Sequence, residues 1–106
     1  HPYIQSVTRP RSPASAQLGR RVRSLREQQG ASQSALANRA DMDPTHLAKI
    51  ERGQGNPTLH LLVQIATALN TPVEYLVREI SAADLPDTSR PYSEEDLRRS
   101  LRADGE

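Results

Sequence analysis

Cysteine, phenylalanine and tryptophan are all missing from the 106 residues, and the tyrosines number three, at Tyr3, Tyr75 and Tyr92. Without cysteine there is no disulfide framework, no thiolate nucleophile and no cysteine-ligated zinc. His1, His46 and His60 have no i, i+4 pairing with one another, which argues against a histidine metal site, so neither a metal nor another cofactor is expected. The longest uninterrupted apolar run is too short for a membrane span or a signal-peptide core, so a soluble, cytoplasmic protein without a membrane partner is expected. Hydrophobic residues make up 35% of the chain, and whatever core they build must be almost wholly aliphatic. A chain of this length suits one small domain with extensions, held by packing alone.

Charge is close to balanced, at +1, yet unevenly distributed. Residues 1–14 carry Arg9 and Arg11 and no acid; residues 15–78 carry eight basic and five acidic side chains; residues 79–106 carry four arginines against eight acids. A basic front and middle followed by an acidic tail fits a polyanionic partner for the former, although ordinary charge scatter gives the same sums.

Residues 1–14 contain Pro2, Pro10 and Pro13 and no apolar periodicity, and are expected to form a flexible basic arm. From Ser15 the pattern becomes helical. Leu18, Val22 and Leu25 line one side of a helix expected to be capped by Ser15 and ended by Gly30. Ser32 caps a second helix with Leu36, Ala37 and Ala40, and Asp41-Met42 makes the corner. Asp43-Pro44 then gives an N-cap followed by proline at the first helical position, opening a third helix that carries Leu47 and Ile50 and stops at Gly53. After the loop Gln54-Gly55-Asn56-Pro57, Thr58 caps a fourth helix with Leu59, Leu62, Ile65, Ala66 and Leu69, ending at Asn70; Pro72 starts a short fifth helix with Val73, Leu76 and Val77. The spacing thus predicts an all-α domain of five helices over residues 15–78. Residues 79–106 read as an acidic linker, looped over 81–92, followed by a short helix after Ser93. That helix has acids in its first turn, arginines later, and only Leu97 and Leu101 as an apolar stripe. Such a helix needs a partner, either its own domain, a second subunit or another protein.

The third helix is the informative one. At about 100° per residue, Leu47 and Ile50 define its buried face, and Thr45, Lys49 and Arg52 fall within about 50° of the opposite direction. Ala48 flanks them and His46 stands on the shoulder. A hydroxyl, two cations and a methyl, with no acid among them, are groups suited to the major groove of DNA. Lysine and arginine reach guanine acceptors or phosphates, threonine meets either kind of edge, and alanine meets a thymine methyl. A merely solvated helix face usually mixes both charge signs.

The segment Gln33-Ser34-Ala35-Leu36-Ala37-Asn38-Arg39-Ala40-Asp41-Met42-Asp43-Pro44-Thr45-His46-Leu47-Ala48-Lys49-Ile50-Glu51-Arg52-Gly53 resembles the lambda-repressor-like helix-turn-helix family. So do the elements Asn56-Pro57-Thr58-Leu59 and Ile65-Ala66-Thr67-Ala68-Leu69 that follow it. The likeness covers about residues 16–77. It implies a five-helix lambda-repressor-like DNA-binding domain with a short extra C-terminal helix. It also implies roles by position: Pro44, Thr45, Ala48 and Lys49 toward base edges, and Gln33, Arg52 and Asn56 toward phosphate. His46, beside them, is expected at phosphate as well. Arg26 and Glu51 match a structural ion pair, and Ala37 a close approach of helices. Two departures stand out: Asp41 occupies a corner where the family favours glycine, and Pro44 replaces a side chain able to hydrogen-bond a base. Arg9 and Arg11 are candidates for a mobile arm entering the minor groove, the alternative being a leader without a role in binding.

The resemblance implies a sequence-specific transcriptional regulator, a repressor acting as a homodimer on a palindromic double-stranded DNA site, in a bacterial or phage setting. A protein-interaction module on the same fold, of the antitoxin or polymerase-associated kind and docking a partner through the tail, is the alternative. Serine, histidine and aspartate are scattered without a nucleophile turn, and there is no phosphate-cradling glycine loop, so an enzyme is not expected. No seat for a ligand-sensing domain is expected after residue 78.

Overall fold

The computed structural model describes residues 9–86 and 94–104. Among these residues there are six α-helices: α1 (Pro13–Gln28), α2 (Gln33–Arg39), α3 (Pro44–Glu51), α4 (Leu59–Ala68), α5 (Val73–Val77) and α6 (Glu94–Asp104). Among the described residues there is no strand, and no helix is long and apolar enough to cross a membrane.

Each of the first four helices begins at a hydroxyl or carboxylate cap. Ser12 accepts from the Ser15 N–H, Ser32 from Ala35, Asp43 from Thr45 and Thr58 from Leu61, so one orphan donor of each first turn is satisfied. The first of these corrects the expectation for α1. The helix starts at Pro13 behind Ser12 and not behind Ser15, because a proline with its fixed φ and missing N–H belongs at the first helical position as readily as in a loop. The same four helices end alike. Gly30, Asp41, Gly53 and Asn70 take left-handed φ values of 70°, 56°, 81° and 56°. In each case that residue and the next donate to carbonyls of the last turn, as in Ala31 N–H to Arg26 O at 3.1 Å and Gln54 N–H to Lys49 O at 2.9 Å. Asp41 therefore makes the corner between α2 and α3 that glycine would make with less strain.

The core is aliphatic throughout. Leu36, Leu47, Ile50, Ile65, Leu69 and Leu76 are each less than 2% exposed, joined by Val22 and Leu18 of α1 and by Ala37 and Ala40. Full burial of each leucine or isoleucine contributes about 1.5–3 kcal/mol relative to exposure. Side chains from one helix also close the ends of others: Arg21 donates to Leu76 O, Gln29 to Leu69 O and Gln64 to Ala40 O, at 2.8–3.1 Å. These long-range caps occupy carbonyls that helix ends would otherwise leave to water.

Beyond α5 the chain makes a short 3₁₀ turn, Ala82–Asp84, within the stretch expected to be loop. A reciprocal cap holds it, in which Ser81 accepts from the turn and Asp84 accepts from the Ser81 N–H. On α6, Arg99 pairs with Glu95 and Asp96 at 3.7 and 3.8 Å, and Leu101 is 72% exposed. The expected cap Ser93, the side chain of Leu97 and residues 1–8 of the arm lie outside the described residues.

Candidate nucleic-acid interface

Helix α3 is fixed from beneath by α1. Gly19 of α1 faces the last turn of α3 so closely that a Cβ there would stand 2.7 Å from Glu51 O and nearer still to Ile50 O. Only glycine permits that approach. Gly55 does the same for the loop after α3, where a Cβ would lie 2.6 Å from Ile50 Cγ1. Neither glycine was singled out from the sequence, although an isolated glycine inside a helical pattern is a signal of close backbone approach.

The same turn of α3 carries a buried carboxylate. Glu51 has a side chain 3% exposed, and Arg26 of α1, 12% exposed, grips it with Nε to Oε2 at 2.7 Å and Nη2 to Oε1 at 2.9 Å. Nη1 of Arg26 donates to Ala31 O at 2.9 Å, and the Gln33 side chain donates to Glu51 Oε1 at 2.9 Å. Hydrogen bonding to Glu51 raises the Arg26 pKa above the ordinary arginine value; burial opposes this, and the charges of Glu51 and Glu27 reinforce it. The guanidinium is therefore permanently charged. A planar fork on a carboxylate, with a third donor from α2, locks the relative orientation of α1, α2 and α3.

With Leu47 and Ile50 buried, the outer face of α3 presents Pro44, Thr45, His46 and Lys49 to solvent, with Ala48 half-buried and Arg52 exposed at the C-cap. The helix's sole carboxylate is the buried Glu51. Thr45 is exposed, and its backbone N–H bonds Asp43 Oδ1 at 2.8 Å. Asn56 is placed elsewhere, in the loop beside the start of α1, where with Ala14, Ser15, Leu62 and Ile80 it lines a cleft of 150 Å³. Gln33 spends one amide N–H on Glu51 and retains the other.

Arg9 and Arg11 do not begin a free arm. The Arg11 N–H donates to Gly53 O at 2.7 Å, and Gln54 Nε2 lies 3.5 Å from Arg9 O. A Cβ on Gly53 would come 3.0 Å from Pro10 Cβ, so the proline sits directly on the turn that ends α3. This corrects the expectation of a flexible segment: residues 9–12 are a strap across the α3 C-terminus, and Pro13 and Ala14 already belong to α1.

Comparisons with known proteins agree with this architecture. The sequence model of the helix-turn-helix family matches residues 22–76. The immunity repressor protein of Bacillus phage phi105 is 36% identical over 62 residues, which are 58% of this chain and 43% of that protein. The restriction-modification controller protein C.AhdI of Aeromonas hydrophila has a structure similar at a TM-score of 0.58, with 35% identity, covering 58% of this chain and 94% of the controller. The clp gene regulator ClgR of Corynebacterium glutamicum is similar over 90% of this chain and 97% of its own, at a TM-score of 0.61 and 26% identity. The chain spans about half the length of the repressor and of the SinR regulator of Bacillus licheniformis that it matches.

Proposed function

We propose, given that the chain belongs to the lambda-repressor-like helix-turn-helix family, that it binds double-stranded DNA sequence-specifically and regulates transcription by occupying its site. The observation that carries this reading is the outer face of α3, where Thr45, Ala48, Lys49 and Arg52 project with no carboxylate among them, on a helix whose orientation is locked by Arg26 and Glu51. In the major groove Lys49 meets guanine O6 or N7, Thr45 reads either edge, and Ala48 contacts a thymine methyl. Pro44 offers only apolar contact. Phosphates are held by Arg52, His46 and the remaining amide N–H of Gln33, with Asn56 at the margin of the footprint. These contacts set register and affinity while the base contacts set sequence.

One domain of this size reads few base pairs, so two copies on half-sites about 10 bp apart supply the specificity a regulator needs. Leu59 and Val63, one turn apart on α4 and 71% and 45% exposed, support association with a second copy. Occupancy of a palindrome overlapping a promoter acts as repression. The family is one of DNA-binding regulators and not of enzymes.

Selection of bound duplexes from a random pool at moderate salt, followed by sequencing, tests this. An enriched palindrome is expected. A folded protein that enriches no motif overturns the reading and favours a protein-interaction role.

A further inference from the structure

The strap over the end of α3 has a consequence for the footprint. Arg9, Arg11 and Arg52 are all exposed, and none of them is in an ion pair among the described residues. The backbones at Arg9 and Arg11 and the side chain of Arg52 are tied to one turn. Arg52 Nε donates to Gln54 Oε1 at 3.3 Å, the amide nitrogen of Gln54 faces Arg9 O, and Gly53 O holds the Arg11 N–H. Pro10 and Pro13 limit the freedom of this stretch from both sides.

We infer that residues 9–12 form a preorganised phosphate clamp, in which Arg9 and Arg11 join Arg52 on the DNA backbone alongside the C-terminal end of the recognition helix. This inference rests on the DNA-binding reading above. It replaces insertion of a mobile arm into the minor groove, because a main chain hydrogen-bonded to the α3 turn on both sides of Pro10 is held to the groove that α3 occupies. A main chain fixed before binding leaves only the arginine side chains to be ordered on contact. Being aimed at phosphates, they raise affinity for every duplex alike and leave base preference to α3.

The test compares wild type with the R9A/R11A variant on the selected duplex and on an unrelated one, across a salt series. The slope of log K against log salt is expected to fall in magnitude by about 2 per bound domain. At about 0.1 M salt affinity should drop roughly tenfold or more on both duplexes, with base preferences unchanged and thermal stability near wild type. In the free protein, the Arg11 amide should be protected from hydrogen exchange. An unchanged slope overturns the clamp. So does an Arg11 amide exchanging at the unprotected rate, or a loss confined to duplexes with an A·T pair at one flanking position and kept when inosine–cytosine, which shows the same minor-groove face, replaces that pair, the mark of minor-groove insertion. Failure of the underlying DNA reading is recognised separately, as absence of salt-dependent duplex binding by the wild type.

Discussion

Replacing Glu51 with alanine should be among the most damaging single changes in the domain, although residue 51 reads no base. The substitution removes the acceptor of three hydrogen bonds of 2.7–2.9 Å and leaves the Arg26 guanidinium, 12% exposed, with Ala31 O as its remaining partner. Two bonds to a charged group at about 1.5–3 kcal/mol each, and the general cost of breaking a buried pair of about 3–5 kcal/mol, converge on a loss of roughly 4 kcal/mol. For a domain of this size that is a fall in melting temperature on the order of 15–30 °C. Urea and thermal unfolding followed by far-ultraviolet circular dichroism measure it directly. Removing both charges in an Arg26→Met, Glu51→Leu protein should restore most of the loss, since the penalty comes from stranding one charge and not from lacking the pair. A Glu51→Ala cost below about 1 kcal/mol, or additive effects in the double-mutant cycle, would refute the reasoning.

Gly19→Ala forces a Cβ against Ile50 O and Glu51 O and should cost about 1–3 kcal/mol or more; Gly30→Ala, with nothing within 4 Å but a φ of 70°, should cost only about 1 kcal/mol, so equal losses in urea unfolding would contradict the close approach of α1 to α3. Asp41→Gly relieves a left-handed φ of 56° and should gain about 0.5–1 kcal/mol, a gain that calorimetry would disprove by showing a lower melting temperature. Lys49→Ala should cost about 1–3 kcal/mol on the preferred duplex and relax one base position without lowering thermal stability, while an equal loss on all sequences would assign Lys49 to phosphate. On the alkaline side, the Arg26 contribution is present below its unfolded pKa and is lost only as pH rises through the still higher folded value. Stability should therefore show no decline traceable to Arg26 up to about pH 10, as a pH series comparing wild type with the Met–Leu double variant would reveal.

The first four helices were legible because each carries its own local signals: a cap, an apolar stripe and a left-handed end. Ser32, Asp43 and Thr58 all cap where the sequence suggests, and the corner at Asp41 forms despite the missing glycine. What stayed hidden depends on chain segments far apart in sequence. Ser12-Pro13 opens α1, yet the surrounding prolines read equally well as a loop, because proline serves both. Gly19 and Gly55 matter for the backbone and side chain of α3, which periodicity does not see. The same holds for Gln29 and Gln64, polar residues whose amides close the ends of other helices. The strap at Arg11 is a backbone contact spanning from residue 11 to residue 53, with no side-chain pattern to announce it. At the interface, the wheel of α3 places Thr45, Lys49 and Arg52 outward from local geometry alone, whereas the Gln33 bond to Glu51 needs the folded arrangement of α2 against α3.

The exposed face of α3 is proposed as the surface that meets DNA. Backbone amide shift mapping of the labelled protein, titrated with the selected duplex, tests it most directly. The largest perturbations are expected on the residues flanking Pro44, on Thr45, Ala48, Lys49 and Arg52 and on the Gly53–Gln54 turn, with the start of α2 following and α6 unmoved. Perturbations concentrated on α4, α5 or α6, with α3 silent, would contradict it.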